Sequence, residues 1–191
     1  IYGELLDMRP YVAALVTPED RDHAIQELLT EAAAHTQSGS IYGYQASTIE
    51  DVEDQIGAVY RALQARGMVY TNVTGGFFDG AQYVKLPADS LATNSANCID
   101  GALVFASAFE AMGMDPLLIF MSGHAMVGVW VDPEHTSWVP IETTVLGSHS
   151  FEDATSIGLD TLQQRSDAGD PLLASFDLEE LRAAGVLPIN R

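Results

Sequence analysis

Three residues of this chain could do chemistry together: Cys98, its single cysteine, His124 and Glu142. A thiol, an imidazole and a carboxylate can supply a nucleophile, a base and a group that orients the base. Cys98 opens an apolar run and follows a small polar stretch, residues 93–97. At a helix start it would meet unpaired backbone N–H groups and the positive end of the dipole, which favour a negatively charged sulfur. Asp100, two residues on, adds negative charge nearby, so its side chain is expected to turn away and cap N–H groups or anchor a loop. Glu142 is a lone acid in the strand-like Val139-Pro140-Ile141-Glu142, where an unpaired buried carboxylate would be costly. If the strands of His124 and Glu142 pair, the carboxylate reaches one imidazole nitrogen while the other faces Cys98. That arrangement fixes the tautomer and raises the basicity of His124.

The elements that must position these groups are legible from periodicity. Residues 98–112 are apolar almost all round, the pattern of a buried helix, with Gly113 as its stop and Pro116 beyond. Residues 117–121 form a continuous apolar strand, Ser122-Gly123 a turn, 124–132 a second strand and 137–144 a third, with Glu142 inside it. Two short connections between consecutive strands predict an antiparallel meander. Upstream, Thr17-Pro18-Glu19-Asp20 reads as a helix start with Thr17 as N-cap and Pro18 at the first helical position, the helix running to about His35. Ser47 or Thr48 caps a second helix with the stripe Val52, Ile56, Val59, Tyr60, Leu63 and the stop Gly67. Residues 69–87 suggest short irregular strands around Gly75-Gly76 and Asp79-Gly80, closed by Pro87, with a short turn from Asp89 or Ser90 into the polar loop. Residues 151–164 read as a helix, Asp170-Pro171 as a break, and Asp177 with Glu180 as the capping box of a last helix.

Composition bounds the function. The chain has 191 residues, 47% of them hydrophobic, and a net charge of −19, with Lys85 its sole lysine. That length and apolar content suit one domain with a sizeable core. The charge argues against nucleic acid or an anionic membrane as partner, because both need a basic surface. No apolar run approaches a membrane span, and no basic-then-apolar leader opens the chain, so direct membrane insertion by this segment is not expected. The start at Ile1 reads as an excised domain or processed product, with a lean toward a cell-envelope or extracytoplasmic setting. Cysteine, histidine and glutamate can also bind zinc. The sequence has no CxxC, no HExxH and no second clustered His or Cys, and no P-loop or GxGxxG, so neither metal nor cofactor is expected. His23, His35, His135 and His149 read as solvent-facing, and Trp130 and Trp138 as packing residues, one of them a candidate to flank the site.

Asn97-Cys98-Ile99-Asp100, Leu103-Val104-Phe105-Ala106-Ser107, Glu110-Ala111-Met112-Gly113, Gly123-His124-Ala125 and Trp138-Val139-Pro140-Ile141-Glu142-Thr143-Thr144 together resemble a bacterial transglutaminase-like domain, of the papain-like cysteine protease superfamily. The resemblance covers about residues 66–145, with 26 residues from Cys98 to His124 and 18 from His124 to Glu142. It implies an α+β fold in which the nucleophile helix packs on an antiparallel sheet carrying His124 and Glu142. Residues 1–65 would be an N-terminal helical elaboration, 66–150 the core and 151–191 a C-terminal helical extension. It also implies acyl transfer on a peptide or protein substrate: attack on an amide, a thioester, then release to water or an amine. The chain departs from the pattern in having Glu142 where Asp is commoner and Asn97 before the cysteine. An oxyanion donor is needed as well. The Cys98 backbone N–H is one candidate, Gln82 the side-chain candidate by analogy with papain-like folds, and Tyr83 its alternative. The competing reading is a transglutaminase-like module without activity, used for binding or scaffolding, which a buried Cys98 or a His124 out of reach of it would favour.

Overall fold

A computed structural model describes residues 9–19, 23–46, 48–71 and 83–189. In chain order the elements are α1 (Ala24–Ala33), α2 (Ile49–Ala65), β1 (Val69–Tyr70), α3 (Pro87–Thr93), β2 (Ser95–Ala96), α4 (Cys98–Ala111), β3 (Pro116–Met121), β4 (His124–Trp130), β5 (Trp138–Ile141), α5 (Phe151–Asp167), β6 (Ala174–Asp177) and α6 (Leu178–Ala183). Short 3-10 turns lie at Arg9–Leu15, Gly43–Gln45 and Thr143–Val145. The architecture is mixed α+β with an antiparallel sheet and several helices. No helix among the described residues is long and apolar enough to cross a membrane.

α4 is the hub because its sequence offers no polar face. Every residue from Cys98 to Phe109 is buried, and it packs against β3 and β4, with α1 and α3 also against it. Phe105 and Phe109 lie fully buried at 5.9 Å between ring centroids, and Tyr60 of α2 approaches Phe105 at 6.0 Å. Each fully buried aromatic of this kind contributes on the order of 1.5–3 kcal/mol of transfer free energy. Both ends of α4 are specified locally. Asn97 and Asp100 form a reciprocal capping box at its start. At its end Gly113, at φ 74°, lets Met114 N–H reach back to the Phe109 carbonyl at 3.0 Å and closes the helix.

The expected meander is present, with β3 pairing β4 and β4 pairing β5, both antiparallel. A fourth strand, β6, pairs antiparallel with β3, giving the order β5-β4-β3-β6. The C-terminal region, read from sequence as helical, thus supplies one edge of the sheet. β1 and β2 form a separate parallel pair, with Tyr70 opposite Ala96.

Four local readings change. Thr17 does not cap α1, which begins at Ala24 after a left-handed His23. Thr17 is buried instead, and its N–H donates to Ser107 Oγ of α4 at 2.9 Å, so a tertiary hydrogen bond overrides a nominal helix signature. Pro87 does not close a strand. It occupies the first position of α3, where its missing N–H costs nothing. The third strand ends at Ile141, so Glu142 lies one residue beyond it, as the N-cap of the turn Thr143–Val145. Asp177 caps α6 as expected, through the Glu179 and Glu180 N–H groups, but Glu180 does not reach back to complete a capping box, and the other Asp177 oxygen takes the indole N–H of Trp130. Thr48 caps α2 as expected, through Asp51 N–H at 3.1 Å.

Candidate functional site

Three element ends converge: Cys98 is the first residue of α4, His124 the first of β4, and Glu142 the first beyond β5. Each is placed by a local rule. The Asn97–Asp100 capping box fixes where α4 begins and therefore where the sulfur sits. The turn at Ser122-Gly123, with Gly123 at φ 72°, sets His124 opposite Met121. The β4–β5 register pairs Val127 with Ile141. Continued by one residue, it sets Glu142 across from Met126 and diagonal to His124. Diagonal neighbours lie about 7–8 Å apart along the backbone, a gap that the longer glutamate bridges better than aspartate.

The bridge is made. Glu142 Oε2 lies 2.7 Å from His124 Nε2. Its other oxygen, Oε1, accepts the Thr144 N–H at 3.1 Å and the Thr144 hydroxyl at 2.6 Å, so both carboxylate oxygens are held. With Nε2 engaged by Glu142, Nδ1 is the ring nitrogen left for Cys98, whose sulfur acts on the pKa of the ring. The result is a relay in which the imidazole stands between the sulfur and the carboxylate. Side-chain exposure is 16% for His124 and 5% for Glu142.

The electrostatics follow from that geometry. Burial alone would lower the pKa of His124, but the hydrogen bonds with Cys98 and Glu142 and the attraction of the carboxylate push it up to about 9. Burial alone would raise Glu142, but the His124 hydrogen bond, the imidazolium charge and the two Thr144 bonds hold it below its ordinary value. Asp100 is directed away from the sulfur, as expected. Its Oδ1 accepts the Lys85 N–H at 2.9 Å and its Oδ2 the Asn97 N–H at 3.4 Å. Burial outweighs these bonds and raises the Asp100 carboxyl. Asp100 thus serves both roles foreseen for it, helix cap and loop anchor, and Lys85 fastens the same loop through its Nζ to Ser95 Oγ at 2.8 Å.

Cys98 is 8% exposed, so only a narrow part of it meets solvent. Gln82 lies outside the described residues, and Tyr83 is 75% exposed. The Cys98 N–H, at the first position of α4, is a donor that helix geometry leaves without an intrahelical partner. Trp130 and Trp138 do not flank the site: they pair with each other at the far end of β4 from His124, six residues or about 20 Å along the strand.

Three residues near the site escaped sequence reasoning. Thr144 locks Glu142, and its signal was a hydroxyl two residues after an acid, the spacing of local side-chain-to-backbone bonds. Gly101 lets α4 approach the turn after β5, since an added Cβ would sit 2.9 Å from Thr143 Oγ1 and 3.1 Å from Thr143 Cβ. Tyr70 of β1 is exposed, and burial, then the charges at Cys98 and Glu142, raise its phenol; β1 itself packs against the turn Thr143–Val145 beside Glu142. Nothing in the sequence context of Tyr70 marks it.

Among the described residues Cys98, His124 and Glu142 do not form a group whose ligand atoms converge on one point. Such a group exists elsewhere, at Asp115, His135 and Glu179, whose ligand atoms all lie within 4.8 Å of one another. His135, read from sequence as solvent-facing, is half-buried there, whereas His23, His35 and His149 are exposed. No protein-family model, curated protein or solved structure matches the chain.

Proposed function

We propose that Cys98, His124 and Glu142 are the triad of a cysteine-nucleophile acyl-transfer enzyme of transglutaminase-like, papain-like architecture, acting on an amide of a peptide or protein. The observation that carries this reading is His124, held by Glu142 at 2.7 Å and near enough to Cys98 for the sulfur to raise the pKa of the ring. The buried helix packed on an antiparallel sheet also supports it. In the first half-reaction the Cys98 sulfur attacks the amide carbonyl carbon and a C–S bond forms. The C–N bond then breaks as His124 delivers its proton to the leaving nitrogen, and a thioester remains. Water or an amine next attacks the thioester carbon and gives a proton to His124, and the C–S bond breaks. Glu142 orients the ring and stabilises the imidazolium without taking its proton. The Cys98 N–H is the donor for the tetrahedral oxyanion.

The Glu142 carboxylate favours the charged form of His124, whose pKa is pushed up to about 9. The experiment is alkylation by iodoacetamide at pH 6, comparing the native protein with the same chain unfolded in denaturant. Native Cys98 is expected to react faster despite its burial. An equal or slower native rate overturns the reading. One observation favours a second reading: at 8% exposure Cys98 is nearly enclosed, as in an inactive binding or scaffolding module. That module would give the slow native rate.

A further inference from the structure

We infer that Asp115, His135 and Glu179 form a binding site for a divalent first-row transition ion of the zinc type, at the opposite end of β4 from Cys98. The three come from separate parts of the chain: the residue before β3, the β4–β5 loop and the first turn of α6. His135 Nε2 lies 3.1 Å from Asp115 Oδ2 and 3.8 Å from Glu179 Oε2. One N–H can satisfy one acceptor well, yet two carboxylates approach the same nitrogen. With all three donors within 4.8 Å of one another, a single point can lie near the roughly 2.0–2.2 Å that zinc requires from nitrogen and oxygen.

The ring is built for this role. It stacks on Trp130 at 4.7 Å with an interplanar angle of 2°. The loop that carries it is tied down by Asp132, whose carboxylate accepts Thr136 N–H, Thr136 Oγ1–H and Ser137 N–H at 2.9–3.0 Å. On the other side of the ring, Nδ1 faces Asp177 Oδ2 at 3.7 Å, and that oxygen is itself fixed by Trp130 Nε1 at 2.8 Å. At 3.7 Å Asp177 makes no direct hydrogen bond to Nδ1 while Nε2 is paired with Asp115, but it stands where a carboxylate backs the remote nitrogen of a metal-bound histidine once Nε2 turns to an ion. Among the described residues the ion pairs of Asp115, Asp177 and Glu179 are all made to His135, so three carboxylates share one imidazole and a divalent ion would balance them. An imidazole with two carboxylates suits zinc-type ions better than calcium or magnesium, which favour all-oxygen shells. The ion would clamp the β4–β5 loop to β3 and α6.

The test is calorimetric titration of the chelator-stripped protein with zinc chloride, with cobalt(II) as a spectroscopic probe. One equivalent of zinc is expected, together with cobalt visible bands free of thiolate charge transfer. His135→Gln should weaken binding more than about 100-fold, beyond the roughly 10- to 100-fold expected when the backing carboxylate is removed in Asp177→Asn. Glu179 is 66% exposed, so Glu179→Gln should leave the fold intact and still weaken binding at least about 10-fold, which carries the test if His135→Gln misfolds. Cys98→Ala should bind as the parent does. Absence of zinc binding, full binding by Glu179→Gln, or loss in Cys98→Ala with a thiolate charge-transfer band would each overturn the site. None of these readouts depends on acyl transfer.

Discussion

Replacement of His124 by alanine is expected to slow acyl transfer at least about 10³-fold while the fold persists, because nucleophile and base act as one unit and loss of either removes most of the chemistry. In the proposed triad His124 pairs with Glu142 at 2.7 Å and interacts with Cys98. Without it the Cys98 proton has no acceptor, the leaving nitrogen has no donor, and Glu142 has nothing to orient. The readout is turnover of an activated peptide ester or amide, with circular dichroism to establish the fold. Imidazole added to the His124→Ala protein should restore part of the lost rate by entering the space the ring vacates. A merely structural histidine would show neither the large loss nor the rescue.

Glu142→Ala is expected to lower stability by about 2–3 kcal/mol near neutral pH. That is somewhat under the 3–5 kcal/mol typical of breaking a fully buried pair, because His124 is part-exposed and can release its proton. The pH dependence separates charge from packing. The His124 pKa is raised from 6.5 to about 9, so its contribution is complete below pH 6.5 and is lost as pH rises through about 9. The Glu142 pKa is lowered from 4.5, so its contribution is complete above pH 4.5 and is lost as pH falls through the depressed value. The difference between parent and variant in urea unfolding should therefore be widest between pH 4.5 and 6.5 and should shrink on both sides. A difference constant across pH would assign the loss to packing alone.

What the sequence makes legible is what is locally encoded. The Asn97–Asp100 box and the apolar run after it announce both the start of α4 and its burial. The Ser122-Gly123 turn brings His124 back antiparallel to its predecessor strand, and the short 133–137 connection does the same for the strand before Glu142. Readings failed where distant partners decide. Thr17 and Pro18 carry a helix-start signature, but Ser107, ninety residues away, takes the Thr17 N–H. β6 is four residues long and gains its pairing from β3, far back in the chain, so no periodicity of its own could mark it. His135 looks exposed in its polar loop, and only the fold brings Asp115, Asp177 and Glu179 around it. Glu142 shows a subtler limit. Its extra methylene looked like a departure from the pattern, yet the diagonal placement relative to His124 is what makes a 2.7 Å contact reachable.

The most direct test of the triad is intact-mass spectrometry of the protein mixed with an activated acyl substrate and quenched in acid. One acyl group is expected, mapped to Cys98, that discharges on addition of hydroxylamine, forms far more slowly in His124→Ala and is absent in Cys98→Ala. Acylation of Cys98 at the same rate with and without His124, or no adduct on the native protein while the unfolded chain acylates readily, would contradict it.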